Sequence, residues 1–222
     1  MNVADDLLSR LIWLKHASFL YDGSVRVAFD PWQVTFDHTL PALFYGVDLV
    51  LVTHGHYDHC DPDTIQRMTG DEAVIVAAAA CADQLSGDVR ALQPGEVTKV
   101  GDVVITATEA YNLQKKFHPR GEGVGFLVFI DGGTIFHAGD TDDIPETHGL
   151  KPDIALLPVG GTYTMDVPEA ARAATAIGAG LTIPMHYGFI VGSPRDGDTF
   201  AKAATVPAKI LKPSEPYSAE KG

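Results

Sequence analysis

The sequence predicts an α/β fold, and three observations carry that reading. Short apolar runs recur that have the length of buried strands rather than of helices. Two of them, residues 48–52 and 153–158, lead through a loop into a helix start with an acidic cap and an early proline, Asp61-Pro62-Asp63 and Asp166-Val167-Pro168-Glu169. Asp22-Gly23 and Asp131-Gly132-Gly133 are hairpin signals between further strand pairs. The length of 222 residues fits one domain, residues 1–222, with residues 213–222 reading as a frayed tail.

Taken in order, residues 11–14 and 17–21 read as strand material and residues 25–29 as a strand that ends at Asp30-Pro31. Residues 31–46 show no clean period and read as a loop with a short helix. Their Phe36, Leu40, Leu43, Phe44 and Tyr45 either line a pocket or cover the core, and His38 reads as surface. Residues 73–77 read as a buried strand, 78–85 as a helix that Gly87 ends, and 89–92, 96–100 and 103–108 as short strands separated by Pro94-Gly95 and Gly101-Asp102 turns. Residues 123–130 alternate in polarity and pair across the turn with 134–137. The helix from Asp166 to residue 177 is rich in alanine, which lets it approach a sheet closely. The Gly160-Gly161 loop before it lacks the lysine of a phosphate-binding loop. A strand at 181–187, a helical stretch near 198–204 and a strand at 208–211 close the chain.

The densest chemistry is Thr53-His54-Gly55-His56-Tyr57-Asp58-His59-Cys60-Asp61-Pro62. Imidazoles and carboxylates are the ligands of zinc-like and iron-like cations. The segment lies on a strand-to-helix loop, where α/β sheets collect their sites. His54 and His56 can turn to one cation while Asp58 and His59 turn to a second, since paired metals sit about 3.5–4 Å apart. Cys60 and Cys81 make no disulfide framework for a chain of this length, and Cys60 reads as a small buried hydrophobe.

This pattern, His-x-His-x-Asp-His after a buried strand, is followed in order by Gly139-Asp140 and by His186, each at a strand end. It resembles the metallo-β-lactamase superfamily over nearly the whole chain. The contexts Phe136-His137-Ala138-Gly139-Asp140-Thr141 and Pro184-Met185-His186-Tyr187 resemble its compact metal-dependent hydrolases, related to the L-ascorbate-6-phosphate lactonase group. The resemblance implies a four-layer αβ/βα sandwich with the metals at one edge between two sheets. It implies His54 and His56 on a first metal, Asp58, His59 and His186 on a second, and Asp140 bridging both. Asp30 then either supports a metal-binding histidine from behind or is a turn residue before Pro31, and His16 either faces the site or is an ordinary half-buried histidine. His137 reads as packing or hydrogen-bonding behind the site, because adjacent strand residues face opposite ways.

One position departs from the pattern. Where the superfamily has a third histidine for the first metal, this chain has Tyr111-Asn112, and the nearest imidazole is His118. An amide oxygen is the weaker ligand. His118 is a ligand, a proton donor or substrate contact, or a plain loop residue, and either Asn112 or His118 completes the first site. The candidate catalytic residues are Asp58, which would orient a water, and His118. The candidate substrate contacts are Asn112, Lys116 and Arg120.

The implied activity is a metal-dependent hydrolase with one or two divalent ions, zinc first and manganese or iron as alternatives, acting on a small ester, lactone or phosphodiester, with an anionic one expected first. Lys115, Lys116 and Arg120 either favour an anionic substrate or are solvated charge. Two other classes stay open: a mononuclear iron-dependent oxidoreductase, should the first site be weak, and a non-catalytic metal-binding scaffold. The net charge of −13 argues against a nucleic-acid surface. No apolar run is long enough to span a bilayer, and the N-terminus is acidic rather than basic. The expectation is a soluble cytoplasmic protein with a small-molecule substrate, with a homo-oligomer left open.

Overall fold

The structure is a computed structural model that describes residues 2–32 and 44–214. Its first sheet has the order β1 (Leu11–Lys15), β2 (Ser18–Asp22), β3 (Arg26–Phe29), β4 (Val47–Val52), β5 (Thr69–Ala78) and β6 (Asp88–Leu92). β1 to β3 form antiparallel hairpins, and β3 to β6 run parallel. The second sheet has the order β12 (Leu181–Met185), β11 (Ile154–Pro158), β10 (Gly133–His137), β9 (Gly123–Ile130), β8 (Val103–Ala110) and β7 (Val97–Val100). β7 to β10 are antiparallel, and β10 to β12 are parallel.

Burial follows position in the sheets. β4 and β11 sit between parallel neighbours and are apolar almost throughout, as strands covered on both faces must be. β8, with antiparallel neighbours, alternates buried and half-buried residues. The two sheets meet through Phe19 and Phe29 of the first and the His137 ring of the second, whose centroids lie 6.1 and 5.6 Å away. His137 Nε2 also faces the Ala17 carbonyl at 2.9 Å, so this residue fastens one sheet to the other behind the site.

Four helices are described: α1 (Val3–Ser9), α2 (Pro62–Met68), α3 (Val167–Ile177) and α4 (Asp196–Ala203). α1 lies on β10 and β11, α3 on β11 and α4, and α4 on β12, while α2 is the crossover between β4 and β5. The result is the expected four-layer αβ/βα sandwich. α3 starts on a complete capping box, Asp166 accepting from Glu169 N and Glu169 from Asp166 N, and ends at Gly178 with φ 75°.

Some expectations change. The helix expected over residues 78–85 is replaced by the end of β5 and a single 3₁₀ turn at Ala82–Gln84. Ala78 pairs with Leu92 and Ala79 N donates to the Leu92 carbonyl, so the sheet takes backbone that a helix would need. The strand expected at 208–211 is an isolated bridge between Thr182 and Ala208. α1 was not anticipated; its inward anchor is Leu7. Of the expected loop at 31–46, Phe44 is buried and Tyr45 exposed, and Phe36, His38, Leu40 and Leu43 lie outside the described residues. Among the described residues no helix is long and apolar enough to cross a membrane.

Candidate metal centre

Every element that carries a motif residue ends at the same edge of the sandwich. β4 runs out into Thr53-His54, β3 into Asp30, β10 into Ala138-Gly139-Asp140, β12 into His186, and β8 into Tyr111-Asn112. His16 occupies the tight turn between β1 and β2. His16, Asp30 and His186 have φ of 50°, 41° and 58°. That left-handed conformation is unfavourable for side chains with a Cβ and collects at functional sites, where the surrounding structure holds it in place.

The first cluster is His54, His56 and His118, whose ligand atoms lie within 4.8 Å of one another. His54 Nδ1 faces Thr53 Oγ1 at 3.0 Å, which turns Nε2 towards His56 Nδ1, 3.1 Å away. Two ring nitrogens that close, with no carboxylate between them, make sense around a shared cation. His118 is clamped by Asn112: the Asn112 Oδ1 accepts from the His118 backbone N–H and faces its Nδ1, both at 3.1 Å, and Asn112 N donates to the His118 carbonyl at 2.8 Å. The Asn112 amide nitrogen in turn donates to Asp142 Oδ1 and the Tyr163 carbonyl. Asn112 is thus engaged on every polar atom, and it directs His118 Nε2 to within 3.2 Å of Asp140 Oδ2.

The second cluster is His16, Asp58, His59 and His186, also within 4.8 Å. Asp30, fully buried, accepts from Thr53 N at 2.7 Å, from Thr53 Oγ1 at 2.6 Å and from His59 Nδ1 at 2.7 Å. One carboxylate therefore fixes both the strand end that carries His54 and the ring of His59, leaving His59 Nε2 facing inward. His16, also fully buried, reaches Asp58 Oδ2 through Nε2 at 3.1 Å, and its ring lies 3.8 Å from that of His186. Asp140 sits between the clusters: its oxygens lie 3.4 Å from His59 Nε2, 3.0 Å from His186 Nε2 and 4.0 Å from His54 Nε2.

A pair of cations fits this donor set. His59 Nε2, His118 Nε2 and His186 Nε2 are buried 3.0–3.4 Å from an Asp140 oxygen, yet neither they nor Asp140 Oδ1 has an aligned hydrogen-bond partner. Buried polar atoms rarely stay unpartnered without such a reason. Their charge states fit as well. Burial, followed by the charge of His59, holds His54 well below the usual imidazole range, and burial with His186 brings His16 down to about 4. Although burial opposes it, the charges of His186 and His59 hold Asp140 well below the usual carboxylate range. Asp58 falls to about 2 against its burial, through the His16 hydrogen bond. His59 alone moves up, because Asp140 and Asp30 outweigh its burial, so the site favours positive charge between those two carboxylates. Ionised Asp140 and Asp58 beside neutral His54 and His16 suit a divalent metal, which would have to displace the proton that His59 holds.

Other expected contacts are not brought to the centre. The cavity beside the first cluster, about 310 Å³, is lined by the metal-facing groups together with Gln84, Phe117 and Glu122 among others, and neither Lys116 nor Arg120 reaches it. Arg120 bonds Glu109 Oε1 at 2.7 Å and Glu146 Oε1 at 2.8 Å, and lies over the Tyr111 ring. Lys115 Nζ bonds Asp142 Oδ1 at 2.6 Å. Asn112 holds His118 rather than lining the cavity. Gln84, Phe117 and Glu122 were missed because no motif marks them: they come from a 3₁₀ turn and a loop that only the fold brings to the site. Cys60 is buried in the core, as expected.

A family profile described as a beta-lactamase superfamily domain matches residues 10–186. A UPF0173 metal-dependent hydrolase of Archaeoglobus fulgidus is 32% identical, covering 96% of this chain and 100% of its own. Among solved structures, a protein of Parabacteroides distasonis provisionally named a metal-dependent hydrolase has a TM-score of 0.80 at 33% identity, over 91% of this chain and 93% of its own. A protein of Ignicoccus hospitalis described as a novel metallo hydrolase has a TM-score of 0.75 at 27% identity, over 92% and 95%.

Proposed function

Because the chain belongs to the metallo-β-lactamase superfamily and, within it, to the UPF0173 metal-dependent hydrolase family, we propose that it hydrolyses a small ester, lactone or phosphodiester at a two-metal centre, with zinc as the resident ion. The observation that carries this reading is the convergence of buried, unpartnered nitrogens and oxygens of His59, His118, His186 and Asp140 on one edge of the sandwich.

In this reading His54, His56 and His118 would hold one cation and Asp58, His59 and His186 the other, with the Asp140 carboxylate lying between the two groups. Divalent cations held there would lower the pKa of water from 15.7 to about 7 and polarise a carbonyl or phosphoryl oxygen. Asp30 and Asn112 keep His59 and His118 in the tautomer and orientation that present Nε2. His118 has one nitrogen left once Asn112 holds Nδ1, so it acts as a ligand and not as the proton donor to a leaving group. Asp58, steadied by the neutral His16, is the carboxylate at the open side of the second cluster and orients the attacking water.

The mononuclear iron reading drew its force from a weak first site. His118 supplies the missing imidazole there, so no observation favours it over hydrolysis. The test is elemental mass spectrometry on protein purified without chelator, followed by ester and lactone hydrolysis before and after chelation. About two equivalents of metal and chelator-sensitive turnover are expected. A folded protein that takes up no metal and turns over no substrate would refute the proposal.

A further inference from the structure

Beyond the metal-facing groups, the cavity beside the first cluster has a wall at odds with a negatively charged substituent. The polar side chains of that wall are Gln84 and Glu122, and its apolar part is Ala80, Ala110, Phe117 and Val124. Among the described residues no lysine or arginine lines it. Two of the three cations in the His118 loop face acids, Lys115 lying against Asp142 and Glu169 and Arg120 against Glu109 and Glu146, and the exposed Lys116 is not among the lining residues. Residues 33–43 contain Asp37 and His38 but no lysine or arginine, so that segment brings no permanent cation to any part of the molecule.

The wall is built rather than incidental. Phe117 is 48% exposed, yet its ring stands edge-on against Tyr163 with centroids 4.6 Å apart, which fixes an aromatic face at the cavity without filling it. Gly55, within the histidine motif, leaves room for Gln84: a Cβ there would come within 2.7 Å of Gln84 Nε2 and 3.0 Å of Cys81 Cβ. A glycine between two metal-facing histidines thus lets an uncharged amide reach the same cavity as Glu122.

Resting on the hydrolase reading of this centre, we infer that the site selects substrates with an apolar group against Phe117 and a neutral or positive end at Glu122 and Gln84, and discriminates against a negative charge at that end.

The test is calorimetric binding to the metal-loaded protein of three phenylacetamides that differ only in the para group: trimethylammonium, methyl or carboxylate. These amides report binding without turnover. The methyl and trimethylammonium compounds are expected to bind about tenfold or more tightly than the carboxylate, the effect of one partly solvated like charge nearby. Glu122→Gln should shrink the cation-over-carboxylate ratio severalfold, Phe117→Ala should weaken all three together, and Lys116→Ala should leave the ratio unchanged. Carboxylate binding as tight as that of the methyl compound, a ratio unmoved by Glu122→Gln, a ratio shifted by Lys116→Ala, or no binding of any of the three would each overturn the inference. Nitrophenyl esters of the corresponding acids are assayed alongside. Binding in the expected order without hydrolysis of any ester would count against the hydrolase reading and leave the charge selection standing.

Discussion

Replacing Asn112 by alanine separates the two metal positions. Its Oδ1 takes both hydrogen bonds from His118, and its amide nitrogen donates to Asp142 and Tyr163. Asn112→Ala therefore leaves the His118 imidazole free to turn and leaves buried partners unsatisfied, at about 1–3 kcal/mol for each group that finds no water. A total of roughly 2–4 kcal/mol lies below the 5–15 kcal/mol typical of a domain, so the variant should fold with a lowered melting temperature. The larger consequence is local. Removing the partner that orients a metal-binding histidine costs about 10–100-fold in affinity. Titration of the metal-free protein with zinc against a chromophoric chelator should show one of two binding steps weakened by that factor and the other unchanged, because the second cluster rests on Asp30 and His16 instead. His118→Ala should weaken the same step at least as much. The reasoning fails if Asn112→Ala leaves both steps unchanged, which would make the clamp irrelevant, or weakens both equally, which would mean that the clusters are not separately supported.

Three further outcomes follow from single contacts. At Gly160 an added Cβ would press on the His186 carbonyl oxygen, so Gly160→Ala should displace His186, lower stability by about 1–3 kcal/mol and weaken the second zinc step, all readable in the same titration and a thermal melt. Asp166→Ala removes the cap of α3 and should cost about 1 kcal/mol in denaturant unfolding while leaving the zinc steps as they were. Burial, with Asp198 and Asp196, pushes the Tyr187 hydroxyl up from 10.0 to about 12. The folded state prefers the neutral phenol, so its contribution to stability is complete below pH 10 and is lost as pH rises through about 12. Unfolding curves across that window should lose a component that Tyr187→Phe lacks, with phenolate absorbance reporting the ionisation.

The parts legible in the sequence were those written locally. The strand before His54, the cap and proline at Asp61-Pro62, the capping box at Asp166 and the order of His54, Asp140 and His186 each need only a few neighbouring residues to be read. α1 escaped because its periodicity reduces to one buried leucine, and the helix expected at 78–85 gave way because its alanines were claimed by pairing with Leu92. Both failures have the same cause: a short element is decided by the partner it meets, and that partner is distant in sequence.

The same cause governs how charge in the 112–123 loop should be read. On paper Lys115, Lys116 and Arg120 form a basic cluster beside a metal site, yet Arg120 meets Glu146, twenty-six positions away, and Lys115 meets Asp142, twenty-seven away. Their acids come from the segment after β10, which also supplies Asp140. Thus the loop that delivers His118 is fastened by its cations to the segment that delivers Asp140, and the Asn112–Asp142 bond adds a third tie. Lys115 and Arg120 act as anchors that fix the distance between His118 and Asp140, which leaves the cavity wall without a basic side chain among the described residues. A chain of charge −13 that needed to attract an anionic substrate would have to keep such cations free, and here the geometry uses two of the three for holding the centre together.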